Sequence, residues 1–239
     1  MKLAIGMPWY DGPDVKTFAF YQDFFMYLGQ LRERTIIREH LGKEEFAKVA
    51  ESLPSLQAGA DPTEEDYDRL GKLDIALLDY SGFSLVGKAR EEIVEKALEW
   101  GADYLFMWDA DMRFVPIVSA LAFTSRAPFY PVIMKIVENP SIGNNVTHSS
   151  TIVHDYPKDQ LVTNKDIGGA IAYGASVILI NMNAFKQVPQ PWFFSTGTGE
   201  DFHFCLRCHM HGVPRHIDTS VKVSHKRWDT DFVDEQYYE

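Results

Sequence analysis

Two aspartates one residue apart, Asp109-Ala110-Asp111, follow directly on five large apolar residues, Tyr104-Leu105-Phe106-Met107-Trp108. An unbroken apolar run of that kind reads as a strand buried on both faces. In an open α/β sheet, ligands bind beyond the carboxyl ends of such strands. Residues i and i+2 of an extended chain point the same way, so both carboxylates can face one site. Two hard oxygen donors there suit Mg²⁺ or Mn²⁺, which can bridge a diphosphate and offset the charge gathering on it as it departs. A bare Asp-x-Asp is often only a solvated turn. Its place at the end of a buried strand favours the metal site, because a solvated turn there has no need of two acids.

A second acid pair, Glu200-Asp201, opens a helix expected from about Gly199 to His211, after Ser195-Thr196-Gly197-Thr198-Gly199. With Thr198 as N-cap, Asp201 falls at N3, close to a capping box, and acids in the first turn complement the helix dipole. A carboxylate held there and facing a pocket can also take a proton from an attacking hydroxyl. The residues alone leave both readings open. His225 ends an extended stretch, Thr219 to Ser224, and gains weight as a ligand only beside Asp111. His203, His209, His211 and His216 do not match a zinc spacing with Cys205 and Cys208, so both cysteines read as packing or surface residues.

Stepping outward to the elements, residues 2–7 form a short buried strand ended by Pro8 and the turn residues Asp11-Gly12-Pro13. Val15 to Val49 favours helix, interrupted near Gly42, and the polar stretch Pro54 to Asp68 reads as a loop. Asp74 to Asp79 is a second buried strand. A helix follows from about Ser84 to Trp100, with Val86, Ala89, Ile93, Ala97 and Trp100 at helical spacing and Gly101 as its stop. With the strand before Asp109, this makes a parallel βαβ unit. Phe129 to Ile136 adds a strand, Val137 to Lys165 reads as a long loop, and Ile167 to Asn181 returns to strand.

Composition sets outer limits. Hydrophobic residues make up 46% and charged residues 24% of 239, enough for a real core and unlike a disordered chain. One α/β domain over 1–239 is expected, in two halves, 1–136 and 137–239. The net charge of −11 argues against nonspecific nucleic-acid binding, although Lys222, His225, Lys226 and Arg227 form one basic cluster. The longest apolar stretch, Ala170 to Ile180, is about half of the ~20 residues that span a bilayer. A soluble, cytoplasmic protein without disulfides is the expectation.

Taken in order, several short motifs resemble GT-A glycosyltransferases of the inverting family-2-like group, above all compact versions from phages and environmental genomes. They are Met7-Pro8-Trp9-Tyr10, Gly87-Lys88-Ala89-Arg90-Glu91-Glu92-Ile93-Val94, Leu105 to Met112, Tyr130-Pro131-Val132-Ile133-Met134-Lys135, Gly199 to Cys205, and Asp218 to His225. The resemblance implies a single Rossmann-like GT-A domain with a mainly parallel sheet flanked by helices. It implies that Asp111 binds Mn²⁺ or Mg²⁺, that His225 is a further ligand, and that Asp109 meets the ribose or, through water, the metal. Asp201 would be the catalytic base and Glu200 would orient the acceptor. Pro8, Trp9 and Asp79 would lie near the nucleoside, and Lys88, Arg90 and Lys135 near the diphosphate. A UDP-sugar donor and inversion at the anomeric carbon follow by the same resemblance. The chain departs from the family at Ala172-Tyr173-Gly174-Ala175-Ser176, where a Gly-x-Gly is common, and in its short length after His225.

The acceptor stays open among a saccharide, a small molecule and a hydroxymethylated DNA base, the last needing a flipped or single-stranded base. Two other classes compete. A sugar-phosphate nucleotidyltransferase needs a Gly-rich basic loop after the first strand, which Met7-Pro8-Trp9-Tyr10-Asp11-Gly12 does not resemble. A noncatalytic nucleotide-binding module would keep the fold without the chemistry.

Overall fold

The computed structural model describes residues 1–9, 15–52, 64–69, 71–81, 85–109, 112–114, 121–122, 133–142, 145–175, 177–194, 199–226 and 232–233. Asp111 and Thr198 lie outside the described residues, and for Trp9, Asp79 and His225 the backbone alone is described. The chain opens with β1 (Lys2–Trp9), a long helix α1 (Val15–Leu41) and α2 (Lys43–Ser52), the break falling at Gly42 as expected. The next helix, α3 (Glu64–Arg69), lies in the stretch read as loop. It carries no apolar stripe that sequence patterning could find. α1 and α2 hold it instead: Glu64 accepts hydrogen bonds from Arg38 of α1 and Lys43 of α2, and the Arg38 guanidinium stacks 4.4 Å over the buried Tyr67 ring.

The strand β2 (Asp74–Ser81), helix α4 (Val86–Trp100) and strand β3 (Tyr104–Trp108) form the expected βαβ unit. β1 pairs in parallel with β2 on one side and β3 on the other. Gly101 ends α4 at φ 75°, a left-handed cap that lets its amide reach back to the last turn. After β4 (Met112–Phe114) and β5 (Leu121–Ala122), the strand β6 (Ile133–Ile142) runs further than expected, while residues 129–132 of the expected strand lie outside the described residues. It turns back as β7 (Asn145–Ile152), so the expected loop from Val137 opens with an antiparallel hairpin. Thr147, Ser149 and Thr151 are polar residues that a strand with a wet face accepts. The polarity that suggested a loop marks a solvated ribbon.

Next come β8 (Leu161–Val162), β9 (Ile171–Tyr173) and β10 (Val177–Asn181). The stretch Ile167 to Asn181, expected to return to strand, holds two strands. The chain leaves the β7-β6-β9 sheet at Gly174 and enters the central sheet, whose order is β10-β3-β1-β2 with only β10 antiparallel. The last elements are α5 (Asn183–Gln187), α6 (Glu200–Met210), β11 (Ile217–Asp218), β12 (Lys222–Lys226) and β13 (Phe232–Val233). Residue 136 lies inside β6, and β10 joins the first half's sheet, so both halves share one mixed α/β framework with a mostly parallel sheet.

Ile93, Val94 and Ala97 of α4 bury fully against Ala4, Leu105 and Met107, and Phe185, Trp192, Phe193 and Phe204 close the same core. The buried face of α4 also takes in Gly87 and Arg90, while Val86, expected in the apolar stripe, is exposed. Tyr104 and Phe106 are half-buried rather than enclosed, and face an apolar groove of about 640 Å³. Among the described residues no helix is long and apolar enough to cross a membrane. Ile93 sits at the centre of the core with no exposure, so Ile93→Ala is expected to cost about 2–5 kcal/mol, read as a lower midpoint in urea unfolding.

Candidate active site

The sheet register gathers the candidate residues at one edge. Met7 pairs with Asp79, Pro8 with Tyr80 and Trp9 with Ser81, so Pro8, Trp9 and Asp79 occupy neighbouring positions at the carboxyl ends of β1 and β2. Asp109 is the first residue beyond β3, which ends on the same side of β1. This is the edge at which open parallel sheets bind ligands.

Arg90, one turn into α4, organises the centre of that edge. Its side chain is buried, with 2% of the residue exposed. Nη2 donates to both Asp109 oxygens, at 2.9 and 2.8 Å, and to the Ala175 carbonyl at 3.4 Å. Nη1 donates to Glu200 Oε1, and the Phe193 ring lies 5.9 Å from the guanidinium carbon. Burial opposes the arginine's charge, but the Asp109 and Glu200 carboxylates outweigh it and hold the guanidinium above its ordinary pKa. The fork geometry of arginine suits this double task, and a lysine could not copy it. Arg90 was expected beside a diphosphate. It is enclosed by the two acid motifs instead, which it ties together.

The start of α6 depends on two glycines. Gly199 precedes it at φ 92°, a conformation that side chains resist, and a Cβ there would stand 2.7 Å from Asp201 Oδ1. Gly87 lets α4 approach closely: a Cβ at that position would overlap the Phe193 carbonyl oxygen and sit 3.2 Å from Glu200 Cβ. Asp201 falls at N2 rather than N3, because Gly199 takes the cap position. Its Oδ1 accepts from the Phe202 amide at 2.7 Å, and a Cβ on Gly174 would lie 3.6 Å from Oδ2. Burial raises the Asp201 carboxyl above its ordinary pKa; the Glu200 charge adds to this, while the Phe202 amide and Arg90 pull the other way.

Sequence reasoning missed several supports. Glu91 accepts a hydrogen bond from the Phe193 amide and is itself pushed up by burial, and Gly87 and Ala175 complete the wall around Arg90. The sequence signal was a glycine inside a helical pattern, a common mark of close packing. Other candidates lie at the margins. Lys88 is exposed in the first turn of α4. Lys135 belongs to β6 in the second sheet, where its stem packs over Gly169. Cys205 and Cys208 are buried, with thiols pushed up to about 12 and about 11, as inert packing residues would be.

Of the metal candidates, His225 has its backbone on the β4–β12 ladder. His225 pairs with Met112 in antiparallel register, and Met112 is the residue covalently next to Asp111. Directly opposed residues of such a pair have Cα atoms about 4.5–5.5 Å apart. The ladder thus brings the His225 backbone to the chain that carries the second aspartate. Among the described residues no cluster of three or more potential metal ligands forms, since Asp111 lies outside them.

The raised Asp201 carboxyl has a consequence for stability. The folded chain holds this proton more tightly than the unfolded chain does, so the group's contribution falls as pH rises from the ordinary aspartate pKa of 3.8 through the raised folded value. Asp201→Asn keeps an acceptor for the Phe202 amide and removes the buried charge. Asp201→Asn is therefore expected to melt higher than the natural chain at pH 7 and to lose that advantage near pH 3, as read by paired thermal melts.

No family model and no curated protein matches the chain. Among solved structures it is similar to A197 from STIV, at a TM-score of 0.50 and 11% identity over 99% of this chain and 91% of that one. A likeness at that identity extends over the fold and no further.

Proposed function

We propose that the chain is a metal-dependent glycosyltransferase of the GT-A type, moving a sugar from a nucleoside-diphosphate sugar to an acceptor hydroxyl with inversion. The observation that carries this reading is the convergence of Asp109 and the Glu200-Asp201 pair on Arg90. Two acid motifs 91 residues apart in sequence thereby share one site at the carboxyl edge of the sheet. A solvated turn and an ordinary helix cap would have no reason to share a buried cation.

The donor set fits a divalent ion of the Mn²⁺ or Mg²⁺ kind. Both oxygens of Asp109 face Arg90, so its further contact is with ribose or a bridging water. Asp111 and His225 would supply the direct donors, a carboxylate oxygen of the kind that suits Mg²⁺ and Mn²⁺ and an imidazole nitrogen. Bound there, the ion would neutralise the leaving nucleoside diphosphate. Pro8, Trp9 and Asp79 form the nucleoside side, with UDP as the first candidate, and Lys88 adds charge toward the diphosphate. Asp201 accepts the proton of the acceptor hydroxyl as its oxygen attacks the anomeric carbon from the opposite side. Its partly buried carboxyl is a stronger base than a solvated aspartate. Glu200, bonded to Arg90, keeps the first turn of α6 in place beside it.

The direct test is turnover of a panel of UDP-, GDP-, CDP- and dTDP-sugars with Mn²⁺, followed by release of nucleoside diphosphate. One donor should turn over, and Asp201→Asn should lower kcat by about 10²–10⁴ with the donor still bound. The kcat/KM profile should fall on its acid side through a pKa above that of a free aspartate. Release of pyrophosphate from a nucleoside triphosphate would instead identify a nucleotidyltransferase.

A further inference from the structure

We infer that Arg90 is the positioning residue of this site, locking the Asp109 end of β3 to the Glu200 start of α6 and so fixing where Asp201 stands relative to the donor. The inference rests on the transferase reading for its kinetic consequences, but its geometry stands without it. At 2% exposure Arg90 is too enclosed to reach a ligand, so its effect passes through the residues it holds. Those residues lie 19 and 110 positions away in sequence, on different elements, and each is held by a different arm of one fork. A fork of that kind fixes angle as well as distance, which a point charge on a flexible stem does not.

α4 reinforces the lock on both sides of Arg90. Gly87 packs against the Phe193 carbonyl and Glu200 Cβ, and Glu91 holds the Phe193 amide. Three residues within five positions of α4 thus grip Phe193 and Glu200. The division of labour between the neighbouring acids follows. Glu200 is committed to Arg90, while Asp201 is bonded to the Phe202 amide and borders Gly174. A shift of about 1 Å between reacting groups can cost about a hundredfold in rate, so the lock matters for catalysis without touching a reactant.

The test compares Arg90→Lys, Arg90→Gln, Glu200→Gln and the double variant Arg90→Gln/Glu200→Gln by kcat, thermal melt and amide hydrogen exchange. Arg90→Gln and Glu200→Gln should each lower kcat about tenfold or more, and the double variant should be no slower than Arg90→Gln, as for groups acting as one unit. Exchange at Phe202 to Phe204 should quicken in both single variants, with Ala4 and Ile5 of β1 unchanged. Arg90→Lys should regain most of the melting temperature but not kcat, since it returns the charge without the fork. Recovery of kcat together with stability in Arg90→Lys would overturn the inference, as would multiplying losses in the double variant. If Arg90→Gln does not fold, Glu200→Gln keeps the Arg90–Asp109 pair and carries the exchange comparison. A natural chain that turns over no nucleotide sugar defeats the transferase reading alone. The exchange arm then decides the lock, faster first-turn exchange upholding it and unchanged exchange overturning it.

Discussion

A guanidinium taken out of water loses solvation worth several kcal/mol, and the fold must return that energy through partners placed to within a few tenths of an ångström. At Arg90 the partners are Asp109 and Glu200, with the Ala175 carbonyl as a third acceptor. Removing the arginine would leave both acids without their shared cation, and breaking a buried pair from one side commonly costs about 3–5 kcal/mol. The arrangement therefore ties α4, β3 and α6 to one another. It does so where a parallel sheet presents its ligand-binding edge, so the strongest constraint on the structure is also the one that defines the site.

The surrounding architecture supplies what that constraint requires. β1, β2 and β3 end together, which sets Pro8, Trp9 and Asp79 beside Asp109. Glycines at 87 and 199 let the two helices approach and let α6 start where its acids meet Arg90. The break at Gly174 carries the chain from the second sheet into the first and forms the wall next to Asp201. The β4–β12 ladder brings the His225 backbone to the residue after Asp111, so the proposed metal site depends on antiparallel pairing across more than a hundred residues of chain.

The features legible in the sequence were those with local causes. The βαβ unit announced itself by an apolar run, a helical stripe and a terminal glycine, and the acid motifs by their place at the ends of those elements. What depended on distant partners was harder to read. α3 is held by Arg38 of α1 and Lys43 of α2, which grip Glu64, and by the stacking of Arg38 on Tyr67, and no period of its own records that. The β6–β7 ribbon is polar because it is solvated, which composition alone does not separate from a loop. Arg90 was recognisable as a functional residue, but its partners come from two other elements, so its role emerged only with the fold.

The central claim is that this edge of the sheet binds a nucleotide through a metal held by Asp111. The most direct measurement is a thermal-shift series with UDP, GDP, CDP and dTDP, each with and without Mn²⁺, on the natural chain and on Asp111→Ala. A ligand that binds only the folded state raises stability by about 2.7 kcal/mol at a hundredfold excess over its Kd. The account predicts a metal-dependent rise with one nucleotide that Asp111→Ala abolishes. A cooperative melt that none of the four shifts would contradict it.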